Sequence, residues 1–253
     1  MQPTRIAELL APFLDDANGQ RLTTGDLEHI STYIDILIRW NARINLTAIR
    51  DPEQIVTRHF GESLFAARHL FPNRTARHLS PNQAEGRGFS HAETLAEQSC
   101  GLGPATLADI GSGAGFPGIP IKLWTRDLSV ALIESNHKKV AFLRELVRCL
   151  TLTDIDILNE RAESLSGRKF DLVTLRAVER FDSILPTAAR LVAPQGRLAL
   201  FIGSSQSELA RCVLARLNAG LETRQWPDSA WSAPLPIPRS RSRILAIAHR
   251  SSN

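Results

Sequence analysis

Between Leu107 and Gly118 the chain reads L-A-D-I-G-S-G-A-G-F-P-G, a stretch whose residue types and spacing suit ligand chemistry. Leu107, Ala108 and Ile110 make a short apolar run expected to be a buried strand, with Asp109 near its end. Gly111, Gly113, Gly115 and Gly118 then fall within eight residues. A chain this rich in glycine directly after a strand can turn sharply and bring bare backbone N–H groups against a ligand, because no Cβ intervenes. The apolar stretch Ile119 to Trp124 restarts as a helix, so the loop sits at a helix N-terminus and reads as a cofactor cradle.

Spacing selects the cofactor. A dinucleotide fingerprint needs its third glycine three positions after the second. Counted from Gly111 and Gly113, that place holds Phe116, which would block close helix–strand packing. The pattern is instead D-x-G-x-G-x-G. A second predicted strand, Val130 to Ile133, ends in Glu134, nineteen residues after Gly115. A carboxylate at a strand tip can accept hydrogen bonds from both hydroxyls of a ribose. No G-x-x-x-x-G-K-[ST] occurs, so a nucleoside triphosphate is not indicated. S-adenosylmethionine fits best, with its ribose for Glu134 and its cationic amino-acid end favoured by an acid such as Asp109. A glycine turn without function is the plainer alternative; the ordered series of acid, glycines and second acid favours the cradle.

Positioning such a loop requires a sheet. From Leu107 onward predicted strands (107–110, 130–133, 155–158, 170–175, 197–202, 243–248) alternate with predicted helices (119–124, 138–150, 183–192, 207–217). That order implies an α/β, doubly wound and mostly parallel sheet, with ligands at the carboxyl ends of its strands. The first seventy residues read helical. Thr23 with Asp26 resembles a capping box, and Leu27, Ile30, Ile34, Leu37 and Ile38 recur on one helical face. A further helix, from about Glu53 to Leu70, carries Arg58, His59, Glu62 and Ser63. The expected organisation is a helical N-terminal region (1–71), a Pro/Gly-rich insertion or linker (72–105) and an S-adenosylmethionine-binding domain (106–253). In the middle segment Arg74, Arg77, His78 and Arg87 are basic, and a solvated linker is a plainer reading than an RNA-gripping arm.

Composition adds bounds. The 253 residues are 43% hydrophobic and 22% charged with a formal charge of +4, an ordinary globular balance leaning basic. Three cysteines without a C-x-x-C pair and seven histidines without metal-ligand spacing argue against a disulfide scaffold and against a metal site. No apolar run approaches a membrane span, and Glu8 interrupts the N-terminal apolar stretch, so neither a membrane partner nor a signal peptide is expected. A cytoplasmic monomer is expected.

Several blocks, in order, resemble the bacterial 16S rRNA guanine-N7 methyltransferase family, also called GidB (glucose-inhibited division protein B). They are W-N-A-R-I-N-L-T-A-I-R-D-P at Trp40–Pro52, R-H-F-x-x-S-L at Arg58–Leu64 and D-I-G-S-G-A-G-F-P-G-I-P at Asp109–Pro120. L-I-E-S-N-x-K-K-x-x-F-L-R-E at Leu132–Glu145, R-A-E at Arg161–Glu163 and F-D-L-V-T-L-R-A at Phe170–Ala177 complete the set. The resemblance implies a Rossmann-like class I methyltransferase fold behind a helical N-terminal part, S-adenosylmethionine as methyl donor, 16S rRNA as partner, and cofactor contacts at Gly111, Phe116, Ala162, Glu163 and Arg176. The spacing of glycines and acids adds Asp109, Gly113, Gly115 and Glu134.

Two departures stand out. The family usually has a short turn where this chain has Asn73–Ala105, and it commonly carries Lys-Gly where Ile202-Gly203 stands.

Guanine N7 already carries a free lone pair, so no catalytic dyad is expected. Arg176 is the candidate for a residue that positions the guanine or a phosphate; a salt bridge in the cofactor loop is its plain alternative. Basic candidates for the RNA backbone are Arg58, His59, Lys138 and Lys139, with Arg144, Arg239, Arg241 and Arg243 behind them. For each, a solvated surface is the competing reading, and P-R-S-R-S-R at Pro238–Arg243 could equally guard a strand edge. Three readings stay open: this methyltransferase, a methyltransferase on another substrate, and a non-catalytic RNA-binding or cofactor-sensing protein.

Overall fold

A computed structural model describes residues 1–14, 22–72, 105–178, 180–218 and 225–252. The Pro/Gly-rich segment and its basic residues Arg74, Arg77, His78 and Arg87 lie outside the described residues, which resume at Ala105. Among the described residues, no helix is long and apolar enough to cross a membrane.

Helix α1 (Pro3–Leu14) buries Ile6, Leu9, Leu10 and Phe13, one face at three- and four-residue steps. Helix α2 (Thr24–Asn41) starts at the predicted capping box: the Thr23 side chain accepts from the Asp26 amide, and the Asp26 carboxylate accepts from the Thr23 amide. Its inner face differs slightly from the sequence expectation. Tyr33 and Ile36 are buried, whereas Ile38 is 39% exposed.

The predicted helix 53–70 is one continuous rod of three kinds. Helix α3 (Pro52–Gln54) opens it under the Asp51 cap, a π-helical stretch runs over Ile55–Gly61, and α4 (Glu62–Leu70) closes it. Such π turns are rare and concentrate at functional sites.

The remainder is the expected doubly wound unit. In chain order it runs β1 (Thr106–Ile110), α5 (Gly118–Trp124), β2 (Ser129–Ile133), α6 (His137–Cys149), β3 (Ile155–Leu158) and β4 (Phe170–Arg176). It continues through α7 (Phe181–Leu191), β5 (Val192–Gly203), α8 (Ser207–Leu217), β6 (Leu235–Pro236) and β7 (Arg243–His249). The seven strands lie in the order β3-β2-β1-β4-β5-β7-β6. Strands β1 to β5 are mutually parallel, while β7 runs antiparallel to β5 and β6 antiparallel to β7. Strand β5 begins five residues before the predicted start. Val192 pairs with Phe170, the register then shifts, and Arg197 pairs with Leu172.

Side chains alternate across this sheet, and the two faces bury different partners. Leu107, Val130, Leu132, Leu172, Ala199, Phe201, Leu245 and Ile247 share a core with α1, α2, the π-helical rod, α5 and α6. Ala108, Ile110, Val173, Leu175, Leu198, Leu200, Ile202 and Ala246 pack with α7 and α8. The helices before residue 71 thus have no core of their own; they complete one side of the sheet. Ile202, in the place of the family's usual lysine, is 4% exposed and belongs to the α7/α8 core.

Candidate active site

The glycine loop turns at the carboxyl end of β1, with Gly111, Gly113 and Gly115 at φ +69°, +55° and +86°. These are left-handed conformations that a residue with a Cβ resists. Close approach matters too. A Cβ on Gly115 would sit 2.5 Å from the Tyr33 hydroxyl oxygen, and one on Gly118 would sit 2.7 Å from Leu132 Cδ2. Gly118 therefore provides the close helix–strand contact denied to Phe116.

Four of the loop's amides are already engaged within the fold, where the sequence led us to expect bare ones. Those of Gly111 and Ser112 donate to the Ile133 carbonyl (2.9 and 3.1 Å), and that of Gly115 donates to Ser112 (2.6 Å). The Gly113 amide donates to Glu134 Oε2 (3.0 Å). The glycines work through conformation and close approach.

Asp109 also differs from its expected role. It is 1% exposed, with Oδ1 accepting from the Thr174 hydroxyl (2.8 Å) and Oδ2 from the Gly118 amide (3.1 Å). Burial raises its pKa to about 6 against the opposing pull of those hydrogen bonds. Its carboxylate is spent on tying β4 and the start of α5 to β1, beneath the loop. Glu134 stands at the tip of β2, where Oε2 accepts from Gly113 and Oε1 from the Asn136 amide (2.8 Å). Each carboxylate oxygen has two acceptor directions, so both can still receive a hydroxyl.

Phe116 is enclosed by rings from the helical region. Tyr33 of α2 stacks on it at 5.0 Å and 8°, His59 at 4.7 Å and 21°, and Phe60 meets it edge-on at 5.0 Å. Tyr33 also donates its hydroxyl to the Ala114 carbonyl.

Arg176 ends β4 on the same sheet face, because alternation from Leu172 through Thr174 carries it there. One of its terminal nitrogens shares its two N–H groups among the Arg58 carbonyl (2.7 Å), His59 Nδ1 (3.0 Å) and Glu62 Oε2 (3.1 Å). Glu62 Oε1 in turn accepts from Arg243 at the start of β7 (2.9 Å). Arg176 is 8% and Glu62 3% exposed, so a cation–anion–cation row joins the π-helical rod to two strands. The Arg176 Nε is buried without a hydrogen-bond partner.

A guanidinium only donates, so His59 Nδ1 must carry the lone pair, and Nε2–H donates to the Thr47 hydroxyl (2.8 Å). Burial and then the Arg176 charge lower the His59 pKa to about 3. The imidazole is neutral and half-buried. It cannot neutralise a phosphate, which corrects its place among the RNA-facing cations.

The other predicted residues reach the same carboxyl edge. Arg58 is exposed on the π-helical stretch. Lys138, exposed, and Lys139, half-buried, open α6, where Asn136 Oδ1 accepts from both amides (2.9 and 3.3 Å). Ala162 is buried and Glu163 exposed in a 3-10 turn after β3. The sequence does not mark Tyr33, Thr47, Glu62, Asn159 and Thr174 as parts of the site, and Arg243, expected at the RNA backbone, is instead paired with Glu62. Glu62 and Thr174 lie inside blocks quoted for the family resemblance, but their partners are remote in the chain. Asn159, after β3, donates to the Glu134 and Ser135 carbonyls (3.1 and 3.2 Å). Among the described residues, no group of three or more potential ligands could hold a metal.

The family model for rRNA small subunit methyltransferase G (GidB) matches residues 26–78 and 92–219. The ribosomal RNA small subunit methyltransferase G of Roseiflexus sp. (strain RS-1) is 38% identical over 90% of this chain and 85% of its own length. The protein of the same name from Chloroflexus aggregans is 37% identical over 71% of this chain and 68% of its own length. That of Halorhodospira halophila is 35% identical over 81% and 82%. A match over most of the chain, spanning both the glycine loop and the π-helical rod, means that this protein belongs to the rRNA small subunit methyltransferase G (GidB) family.

Proposed function

We propose that the protein transfers a methyl group from S-adenosylmethionine to N7 of a guanine in 16S rRNA. The observation that carries this reading is the convergence, on one sheet edge, of a left-handed glycine turn, a strand-tip carboxylate and a buried guanidinium with an unused N–H. These residues fit the cofactor. A Cβ on Gly111 would already press on Val178 at 3.0 Å, whereas the space beside Gly113 is nearly open. Gly111, Gly113, Gly115, Phe116, Glu134, Ala162, Glu163 and Arg176 would hold it, Glu134 taking the ribose hydroxyls. Asp109 contributes by holding the loop's shape.

When bound, S-adenosylmethionine supplies an electrophilic methyl group on a sulfonium. The chain supplies alignment. The acceptor nitrogen needs no deprotonation, so no side chain has to act as a general base. Holding two reactants at near-attack distance lowers a barrier by about 7–11 kcal/mol. Arg176, anchored through one terminal nitrogen with Nε unused, orients the base or the donor. The neutral His59 and the Phe116 stack exclude water behind it. An unstacked guanine must enter, as readers of RNA loops require, and Arg58, Lys138 and Lys139 would meet its flanking phosphates.

The test is 16S rRNA from cells lacking this protein. One N7-methylguanine should be absent there and restored by purified protein with S-adenosylmethionine. An unchanged modification pattern would overturn the assignment.

A further inference from the structure

The basic run Pro238–Arg243 is not used by the chemistry above, and its place in the fold is specific. It forms the turn between β6 and β7. Strand β7 runs antiparallel to β5, with Arg243 paired to Gly203, so this turn opens at the carboxyl edge of the parallel strands, where Arg176 and Glu134 lie. We infer that this turn is a clamp for RNA phosphates beside the methyl-transfer cleft, gripping with Arg239 and Arg241. The inference rests on the methyltransferase reading for the identity of the polyanion.

Three observations support it. First, the turn is built. Ile237 donates to the Arg243 carbonyl (3.0 Å), Ser240 to the Ile237 carbonyl (3.2 Å), and the Arg243 amide to the Ser240 hydroxyl (3.1 Å). The Ser204 amide ties in the Ser242 carbonyl (2.7 Å). Second, the arginines divide the work. Arg243 is held inward by Glu62, which it shares with Arg176, so the base of the turn is locked to the site. Arg239 and Arg241 are exposed, and no carboxylate among the described residues lies within ion-pair distance of either. The shared row Arg176–Glu62–Arg243 carries one positive charge in excess, so the field there already favours an anion. Third, Arg239 has φ +58°, a left-handed conformation uncommon for a residue with a Cβ. Backbone held in this region clusters at ligand clamps.

The competing reading, charge guarding a sheet edge, fits poorly. The edge strand β6 is Leu235–Pro236, which carries no charge and is already protected by its proline. The charges sit in the turn beyond it.

The experiment measures binding of protein-free 16S rRNA against salt for the full chain, for Arg239→Ser/Arg241→Ser, and for the control Arg148→Ser/Arg190→Ser. The control removes the same charge from the last turns of α6 and α7, at the opposite edge of the sheet. Each lost phosphate contact reduces the slope of log K against log salt by about 0.7–0.9. The turn variant should therefore lose about 1.5 of slope, while the control keeps the wild-type value and both bind S-adenosylmethionine as wild type does. Equal slopes for turn variant and wild type, or equal losses in turn variant and control, would overturn the clamp. Turn-dependent RNA binding by a protein that leaves every guanine unmodified would uphold the clamp and refute the methyl-transfer reading, so the two failures are distinct.

Discussion

The two faces of the sheet obey the same alternation and end differently. Toward α7 and α8, the side chains from Ala108 to Ile110, Val173 to Leu175 and Leu198 to Ile202 stay apolar to the strand tips. Toward the N-terminal helices, the same columns begin apolar and finish as Asp109, Thr174, Arg176 and, on β7, Arg243. A buried polar group costs free energy unless it is paired. Asp109 and Thr174 pair with each other, and the helical region pairs the two arginines through Glu62, the Arg58 carbonyl and His59. One face is thus a packing surface. The other is a packing surface that becomes a site where a second layer of helices closes over its edge.

Breaking the polar end should cost most. Glu62→Ala strands two guanidinium groups, and losing one member of a buried ion pair costs about 3–5 kcal/mol, to be read from chemical denaturation. On the opposite face Leu198→Ala should cost a similar amount, about 2–5 kcal/mol, by leaving a cavity. The two differ in cofactor affinity: that of the folded fraction should fall for Glu62→Ala and hold for Leu198→Ala.

The polar side also carries two opposed pH dependences. Asp109 has a folded pKa of about 6 against 3.8 ordinarily, so the folded state keeps its proton longer. Its contribution to stability therefore declines as pH rises from about 4 to about 6, by at most about 3 kcal/mol. His59, lowered to about 3 from 6.5, has the opposite sign: it favours folding increasingly as pH rises through that window. Denaturation of Asp109→Asn should thus show stability rising more steeply between pH 4 and 6 than in the wild type. A parallel curve would place the Asp109 charge in solvent.

Next in size is the chemistry. Arg176→Ala at saturating S-adenosylmethionine should slow single-turnover methylation by about 10²-fold, near 2.7 kcal/mol, if Arg176 aligns the base. A change confined to cofactor affinity would reduce it to a donor contact. The smallest effect belongs to Tyr33→Phe. It removes the hydrogen bond to the Ala114 carbonyl while keeping the ring stack on Phe116, and should cost about 1 kcal/mol in thermal unfolding.

Much of this arrangement is local and therefore legible in the chain. Alternating apolar runs and helical periods fix the strands and helices, since an element is decided by residues within a few positions of one another. The turn after β1 and the acid after β2 are likewise local features: left-handed backbone demands Gly111, Gly113 and Gly115, and Glu134 lies one residue past its strand. Partnership is another matter. Whether Asp109 faces a ligand or Thr174, and whether His59 is a surface cation or a neutral ring between Thr47 and Arg176, depends on registers between segments 65 to 117 residues apart. The π-helical stretch, whose Arg58 carbonyl accepts from Arg176, has no period that marks it in advance. Composition and spacing determined that this chain builds a glycine-turned, doubly wound sheet with a helical preface. Only the tertiary structure decided which charges are spent on holding it together and which remain for a ligand, because pairing energy is set by distance and burial, and neither is written along the chain.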